Sequence, residues 1–453
     1  MMSSLISFKN LLLNGYTHTV SFSDHNDTIN HQQFLHDLSF CIRNIKRTDY
    51  KRFVLYCTDS YQFLVNFIAL SICKKIIIIT ANDKPLWLND ITQYFDCIIT
   101  DNISQQYAKP SLSSKPVTEQ PSGLPVNFDI TGIEETQVYF FTSGSSGNPK
   151  SIKKSLKLLL NEIDIIQQTF KLPKTHSIYA SVSHQHIYGL LFRLLWPFLQ
   201  SRPFSRSLIQ YPEQLIELCI NQDTVFVSSP AFLSRLDDSL PTIHIDTIFS
   251  SGGPLSFNAA QQVQQLLGTL PIEVYGSTET GGIGYRQQNT EQQHWTLFDD
   301  VYLTQVGKQQ TVLTSGHIFE SSLELDDHLQ LLGERQFLLQ GRKDRIIKLE
   351  EKRISLDEIE HHLQAHPHVK NAKVIVLHEK RQYLAAVVQL DRSPQDPLLD
   401  NEKAQWSRIL KHYCNDKYQA ITVPRKWRFV DQLPYNTQGK LLLNELEQLF
   451  KSV

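Results

Sequence analysis

Tyr139-Phe140-Phe141-Thr142-Ser143-Gly144-Ser145-Ser146-Gly147-Asn148-Pro149-Lys150 reads as an apolar strand that runs into small hydroxyl and glycine residues and closes on a lysine. Glycines let the backbone turn its N–H groups toward an anion, the hydroxyls add donors, and Lys150 adds positive charge. Polyphosphate binding is the natural use of such a loop. It is not a P-loop, because Asn148 and Pro149 stand between the second glycine and the lysine. Taken alone, the run is also compatible with a flexible Ser/Gly turn, so the flanking chain has to decide.

On both sides, short β-rich runs alternate with amphipathic stretches. The runs are Phe53 to Tyr56, Ile76 to Thr80, Cys97 to Thr100, Thr224 to Val227, Ile245 to Phe249 and Ile272 to Tyr275. Among the helical stretches, Leu156 to Phe170 places Leu159, Leu160, Ile163, Ile166 and Phe170 on one face after a candidate N-cap, Ser155. This pattern predicts an α/β body with partly parallel sheets. Residues 101 to 137 are polar and rich in Ser and Pro, and form either a linker or a surface excursion between two sheet-containing halves. A second break falls near Gly341. Beyond it, Ser355 and Glu358 form a capping box that opens a helix through Leu363. Pro367 stops that helix, and strand-like runs follow at Val374 to Leu377 and Tyr383 to Val388. The expected organisation is a large N-terminal multi-subdomain body over residues 1–341 and a small α+β domain over residues 342–453.

Composition narrows the function. The 453 residues exceed one ordinary core, and 41% apolar with 20% charged residues describes a folded, water-soluble protein. A net charge of -2 supplies no global field for nucleic acid or an anionic membrane, so any phosphate site has to be local. The N-terminus lacks the basic segment and cleavage site of an export signal, and the Ile76 to Ile79 run is far too short to span a bilayer. The expectation is a cytoplasmic protein without stable membrane insertion. Its six cysteines are scattered singly, which suits small core residues in a reducing compartment and makes a structural metal an unfavoured reading.

Three further segments carry chemistry: Tyr275-Gly276-Ser277-Thr278-Glu279-Thr280, Gly341-Arg342-Lys343-Asp344-Arg345-Ile346-Ile347-Lys348, and Leu433-Pro434 with Thr437, Gly439 and Lys440. With the Ser/Gly loop they make four ordered motifs that resemble the superfamily of adenylate-forming enzymes, which includes acyl-CoA synthetases, luciferases and peptide-synthetase adenylation domains. Weaker matches at Lys51 to Pro85 extend the likeness across nearly the whole chain.

The resemblance implies ATP and Mg2+ as cofactors. Phosphate binding falls to Thr142, Ser143, Gly144, Ser145, Ser146, Gly147 and Lys150. Glu279 is the implied magnesium ligand, in keeping with the preference of that hard cation for a carboxylate plus phosphate oxygens. Thr278 contacts phosphate or the acid's carboxylate, and Tyr275 packs on adenine, with Gly276 and Ser277 beside it and with Gly252 and Gly253 of the glycine-rich strand. Asp327, with Asp326 as the alternative register, clamps the ribose, and Arg342 binds ribose or phosphate. Asp344 is the implied hinge of a mobile C-terminal domain. Lys440 stabilises charge as the carboxylate attacks the α-phosphate, with Thr278 and Glu279 as its catalytic companions.

The likeness also bears on substrates. His184-Gln-His186-Ile-Tyr-Gly189 matches the segment that flanks the acid pocket, so His186, Gly189 and Ser251 are its implied lining. Amino-acid-activating members place an aspartate here, and none occurs between Ser181 and Gly189. An aryl or fatty acid fits better. Glu351 replaces the glycine that normally follows the hinge motif, which disfavours ordinary coenzyme A. The Lys348-to-Ser355 run and the compact interval between Glu279 and Gly341 resemble ligases of aryl-polyene-type biosynthetic systems, which load an acyl carrier protein. Two competing classes are a nucleotide enzyme that releases ADP, such as a kinase, and a non-catalytic nucleotide- or carrier-binding homologue.

Overall fold

The computed structural model describes residues 3–13, 19–22, 28–102, 104–115, 128–143, 149–172, 175–220, 223–253, 255–290, 293–306, 310–342, 346–350, 352–379, 381–391, 400–434 and 443–451. These form two units. One comprises Met1–Ala81, Thr92–Phe141 and Ser151–Lys343; the other comprises Asn82–Ile91, Thr142–Lys150 and Asp344–Val453.

The β-rich runs assemble into two large sheets. In the first, the strands run in the order Ser111–Ser113, Cys97–Thr100, Arg52–Tyr56, Ile76–Ile79, Gln137–Ser143 and Pro149–Ser155, and the first five are parallel. Parallel strands covered on both faces are apolar without alternation, and Phe53, Val54, Leu55, Ile77 and Ile79 are fully buried. Ser111–Ser113 and Gln137–Ser143 both join this sheet, beside Cys97–Thr100 and Ile76–Ile79, so the polar segment of residues 101–137 lies within one sheet and does not separate two sheet-containing halves as expected.

The second sheet has eleven strands. Its centre, from Thr19–Phe22 through Phe204–Ser205, Ser177–Ala180, Thr224–Ser228 and Thr247–Ser250 to Ile272–Ser277, is parallel. Antiparallel strands Gly281–Arg286, Trp295–Leu297, Gln336–Arg342 and Asp327–Leu331 extend one side. The strand expected from Ile245 begins only at Thr247, because the Ile245 N–H bonds the carbonyl of Leu267 at the end of a helix instead of a neighbouring strand. The helix after the Ser/Gly loop runs Leu156–Thr169, and the Ser155 hydroxyl accepts from the Leu158 N–H at 3.3 Å.

In the second unit the Ser355 hydroxyl caps the helix Leu356–Gln364 by accepting from the Glu358 N–H at 3.2 Å. The strands Val369–His378, Gln382–Leu390 and Lys426–Phe429 make one sheet. Leu384, Ala386 and Val388 pack in one apolar cluster with Leu356, Ile359, Leu363 and Leu410, while Ala385 and Val387 pack in another with Leu446 and Phe450. Side chains alternate faces along a strand, so a strand with helices on both sides reads as continuously apolar.

Candidate functional site

A hairpin carries the residues expected to do the chemistry. Ile272–Ser277 turns back into Gly281–Arg286 with Ser277 opposite Gly281, which leaves Thr278 and Glu279 at the tip. The Ser277 N–H donates to Thr280 Oγ1 at 2.9 Å, and the Thr280 N–H donates to Ser277 Oγ at 3.2 Å. This reciprocal pair closes the turn. Gly281 has a φ of +67°, and Gly276 lies so close to its partner strand that a Cβ would stand 2.2 Å from the Gly281 oxygen. Both glycines are therefore required by the turn itself.

Behind the hairpin, Tyr275 is 6% exposed and packs against Trp295 and Phe337, at 5.5 Å and 5.7 Å between ring centroids. Its hydroxyl donates to Asp327 Oδ2 at 2.7 Å. Asp327 is half-buried and Asp326 exposed, so Asp327 is the residue brought to Tyr275. The antiparallel register also sets Asp327 opposite Arg342. Ser251 is buried, with its hydroxyl donating to the Val274 carbonyl at 2.7 Å, and Gly252, at φ +94°, and Gly253 follow it half-buried.

His186 is half-buried at the start of the short helix Ile187–Gly189. The fully buried histidine is its neighbour His184. Its Nε2 bonds the Cys57 carbonyl at 2.9 Å and its Nδ1 lies 3.1 Å from Arg193 Nη1. A carbonyl only accepts and a guanidinium only donates, which places the proton on Nε2. Burial, reinforced by Arg193, holds this imidazole well below its ordinary range, so it stays neutral.

Thr142 and Ser143 end the strand Gln137–Ser143, and Lys150 is exposed in the strand Pro149–Ser155. Gly144, Ser145, Ser146, Gly147, Asp344 and Lys440 lie outside the described residues, as do Glu351, Thr437 and Gly439.

Beneath the hairpin lies a set of charged groups that sequence reasoning missed. Lys154 is 1% exposed, and its Nζ donates to the carbonyls of Glu279 at 3.0 Å and His317 at 3.1 Å. Glu162 Oε1 accepts from the Gly282 N–H at 2.7 Å. His317 Nε2 donates to the Gly282 carbonyl at 3.1 Å, and its Nδ1 lies 2.6 Å from the Ser315 hydroxyl. Burial lowers the Lys154 pKa, and the carboxylates of Glu162 and Glu279 oppose that shift. A signal existed for two of the three: Glu162 interrupts the apolar face of Leu159, Ile163 and Ile166, and Lys154 falls on the same face of its strand as the buried Ile152.

A half-buried glutamate beside a threonine hydroxyl at a rigid turn tip is an oxygen donor set that suits magnesium. Glu279 would hold the ion, which would supply charge neutralisation on a polyphosphate.

This architecture and these motifs have relatives. A family model of AMP-binding enzymes matches residues 73–307, and the model of the AMP-binding enzyme C-terminal domain matches residues 358–440. The chain belongs to the AMP-binding enzyme family, the ATP-dependent ligases that form acyl-adenylates. It is 26% identical over 310 residues to a 4-coumarate–CoA ligase of Cereibacter sphaeroides, covering 67% of this chain and 69% of that protein. It is 23% identical over 366 residues to a D-alanine–D-alanyl carrier protein ligase of Bacillus licheniformis, covering 70% and 71%. Two solved structures share the fold. The amide bond synthetase McbA from Marinactinospora thermotolerans superposes with a TM-score of 0.82 at 14% identity, over 99% of this chain and 100% of that one. The o-succinylbenzoate CoA synthetase from Bacillus subtilis superposes with a TM-score of 0.76 at 14% identity, over 99% and 98%. The expected α/β body with a smaller C-terminal domain is the fold of these enzymes. No helix among the described residues is long and apolar enough to cross a membrane.

Proposed function

We propose that this protein is a cytoplasmic acid–thiol ligase that activates an aryl or fatty acid and passes it to the phosphopantetheine thiol of an acyl carrier protein in preference to coenzyme A. The observation that carries the reading is the hairpin with Thr278 and Glu279 at its tip, continuous with a strand whose Tyr275 is bonded to Asp327. A carboxylate placed to accept the two ribose hydroxyls and a second carboxylate at a turn tip are what an ATP–magnesium complex needs.

In the first half-reaction the acid's carboxylate oxygen attacks the α-phosphorus in line, the P–O bond to the β-phosphate breaks, and pyrophosphate leaves. Thr278 orients the reacting oxygens, and the Ser/Gly run of Thr142 to Lys150 binds the departing phosphates. Lys440 neutralises the charge that grows on the α-phosphoryl oxygens, and Arg342 holds the nucleotide. In the second half-reaction the thiolate sulfur attacks the acyl carbon and AMP leaves, after residues 342–453 turn about Asp344. The lack of an aspartate between Ser181 and Gly189 favours an acid without an α-ammonium, with His186, Gly189 and Ser251 beside its acyl chain. Glu351, in place of the family's glycine, supports the carrier protein as acceptor.

The test is pyrophosphate release with ATP and magnesium over benzoic, cinnamic and fatty acids, repeated with coenzyme A and with a phosphopantetheinylated carrier protein. Acid-dependent release with carrier-protein loading is expected. Lys440→Ala is expected to slow adenylation by about 10²- to 10³-fold while ATP still binds. Silence over the whole panel, with ATP shown to bind, would favour the non-catalytic alternative.

A further inference from the structure

Lys154, Glu162 and His317 come from three separate elements, and their polar atoms converge on the backbone of residues 279–282. Lys154 takes the Glu279 carbonyl, Glu162 the Gly282 N–H and His317 the Gly282 carbonyl. All three are nearly excluded from water, at 1%, 5% and 1% exposure. A lysine and a glutamate buried this deeply are poor devices for stability, because well-packed apolar residues of similar volume usually serve as well or better. What they supply is a single geometry. The Gly281 position leaves no slack, since a Cβ there would lie 2.6 Å from the His317 ring and 2.7 Å from Glu162 Oε2.

From this we infer that Lys154, Glu162 and His317 are positioning residues that set the hairpin tip, and through it the Glu279 carboxylate, for a metal-bound nucleotide. The inference rests on the proposed role of Glu279. Lys154 fixes the backbone of the residue that would ligate the ion, and it holds the His317 carbonyl with the same ammonium. Glu162 and His317 fix the start of the next strand by taking the N–H and the carbonyl of the same residue, Gly282. The Lys154 ammonium also sits near the Glu162 and Glu279 carboxylates, whose charge opposes the cost of burying it. Groups that orient a metal ligand in this way typically change metal affinity or activity by about 10- to 100-fold when removed.

The test compares ATP affinity by calorimetry with magnesium and with EDTA, in the wild-type full chain and in Lys154→Met, Glu162→Ala, Glu162→Gln and Leu267→Ala. Leu267 is a fully buried residue that packs in a different apolar cluster from the hairpin's Val274, Tyr275 and Ile283, and it serves as the control for simple destabilisation. The metal-dependent gain in affinity is expected to fall by about 10- to 100-fold in Lys154→Met and Glu162→Ala. Glu162→Gln, which keeps an oxygen for the Gly282 N–H, is expected to restore most of it, and Leu267→Ala to leave it intact. The inference is overturned by an unchanged gain in folded Lys154→Met, by an equal loss in Leu267→Ala, or by no metal-dependent gain in the wild type. Failure of the ligase reading looks different: the gain still falls in Lys154→Met while wild-type protein releases no pyrophosphate with any acid.

Discussion

Tyr275 shows how one side chain serves two surfaces. Its ring is packed against Trp295 and Phe337, and its hydroxyl reaches Asp327. A hydrogen bond of this kind contributes about 1 kcal/mol net, because folding exchanges a water partner for a protein one. Tyr275→Phe keeps the packing and releases the carboxylate. The expected outcome is a KM for ATP raised about fivefold, with kcat and melting temperature close to wild type. An unchanged KM would separate Tyr275 and Asp327 from the nucleotide.

At the scale of the element, the hairpin from Ile272 to Arg286 is built so that its tip cannot drift. Ser277 and Thr280 close it from within, and Gly276 faces the Gly281 carbonyl at a distance that admits no Cβ. Gly276→Ala forces the two strands apart and is expected to cost on the order of 1–3 kcal/mol, the usual cost of overpacking. Denaturant unfolding checks that figure, and the accompanying loss of adenylation is expected to exceed it, because Thr278 and Glu279 ride on the displaced turn. Activity that merely tracks the folded fraction would make the hairpin a structural feature only.

The stability of the whole molecule depends on pH in part through two groups of the second unit that oppose each other. Glu358, buried under its own helix, has its carboxyl raised by burial to about 7 from 4.5, with Lys417 pulling the other way. A raised carboxyl binds its proton more tightly when folded, so its stabilising contribution is full below 4.5 and is lost as pH rises through 7. His362 stacks on Tyr413 at 4.3 Å between centroids and bonds the Tyr413 carbonyl at 3.3 Å. Burial lowers its imidazole to about 4 from 6.5, so its contribution is present above 6.5 and is lost as pH falls toward 4. The two slopes oppose each other between pH 4.5 and 6.5. Glu358→Gln is expected to leave the unfolding midpoint falling more steeply on acidification, and His362→Phe to leave it rising. Parallel profiles for both variants and wild type would contradict both assignments.

Local patterns in the chain were enough for the α/β class, for the strands Cys97–Thr100 and Arg52–Tyr56 within a residue, and for the caps at Ser155 and Ser355, because period, capping and turn chemistry act over a few neighbouring residues. The four ordered motifs were likewise legible, and they pointed to the AMP-binding enzyme family whose models match residues 73–307 and 358–440. Other features were decided only in three dimensions. The polar segment of residues 101–137 proved to lie within one sheet, since its next strand pairs with Ile76–Ile79, a long-range choice that local composition does not encode. That Asp327 meets the Tyr275 hydroxyl depended on which side of the strand faces Tyr275. Lys154, Glu162 and His317 converge because a strand, a helix and a distant loop pack against one hairpin. A charged residue on an apolar face can be noticed in a sequence, but the backbone atoms it grips exist as partners only after the core has closed around them.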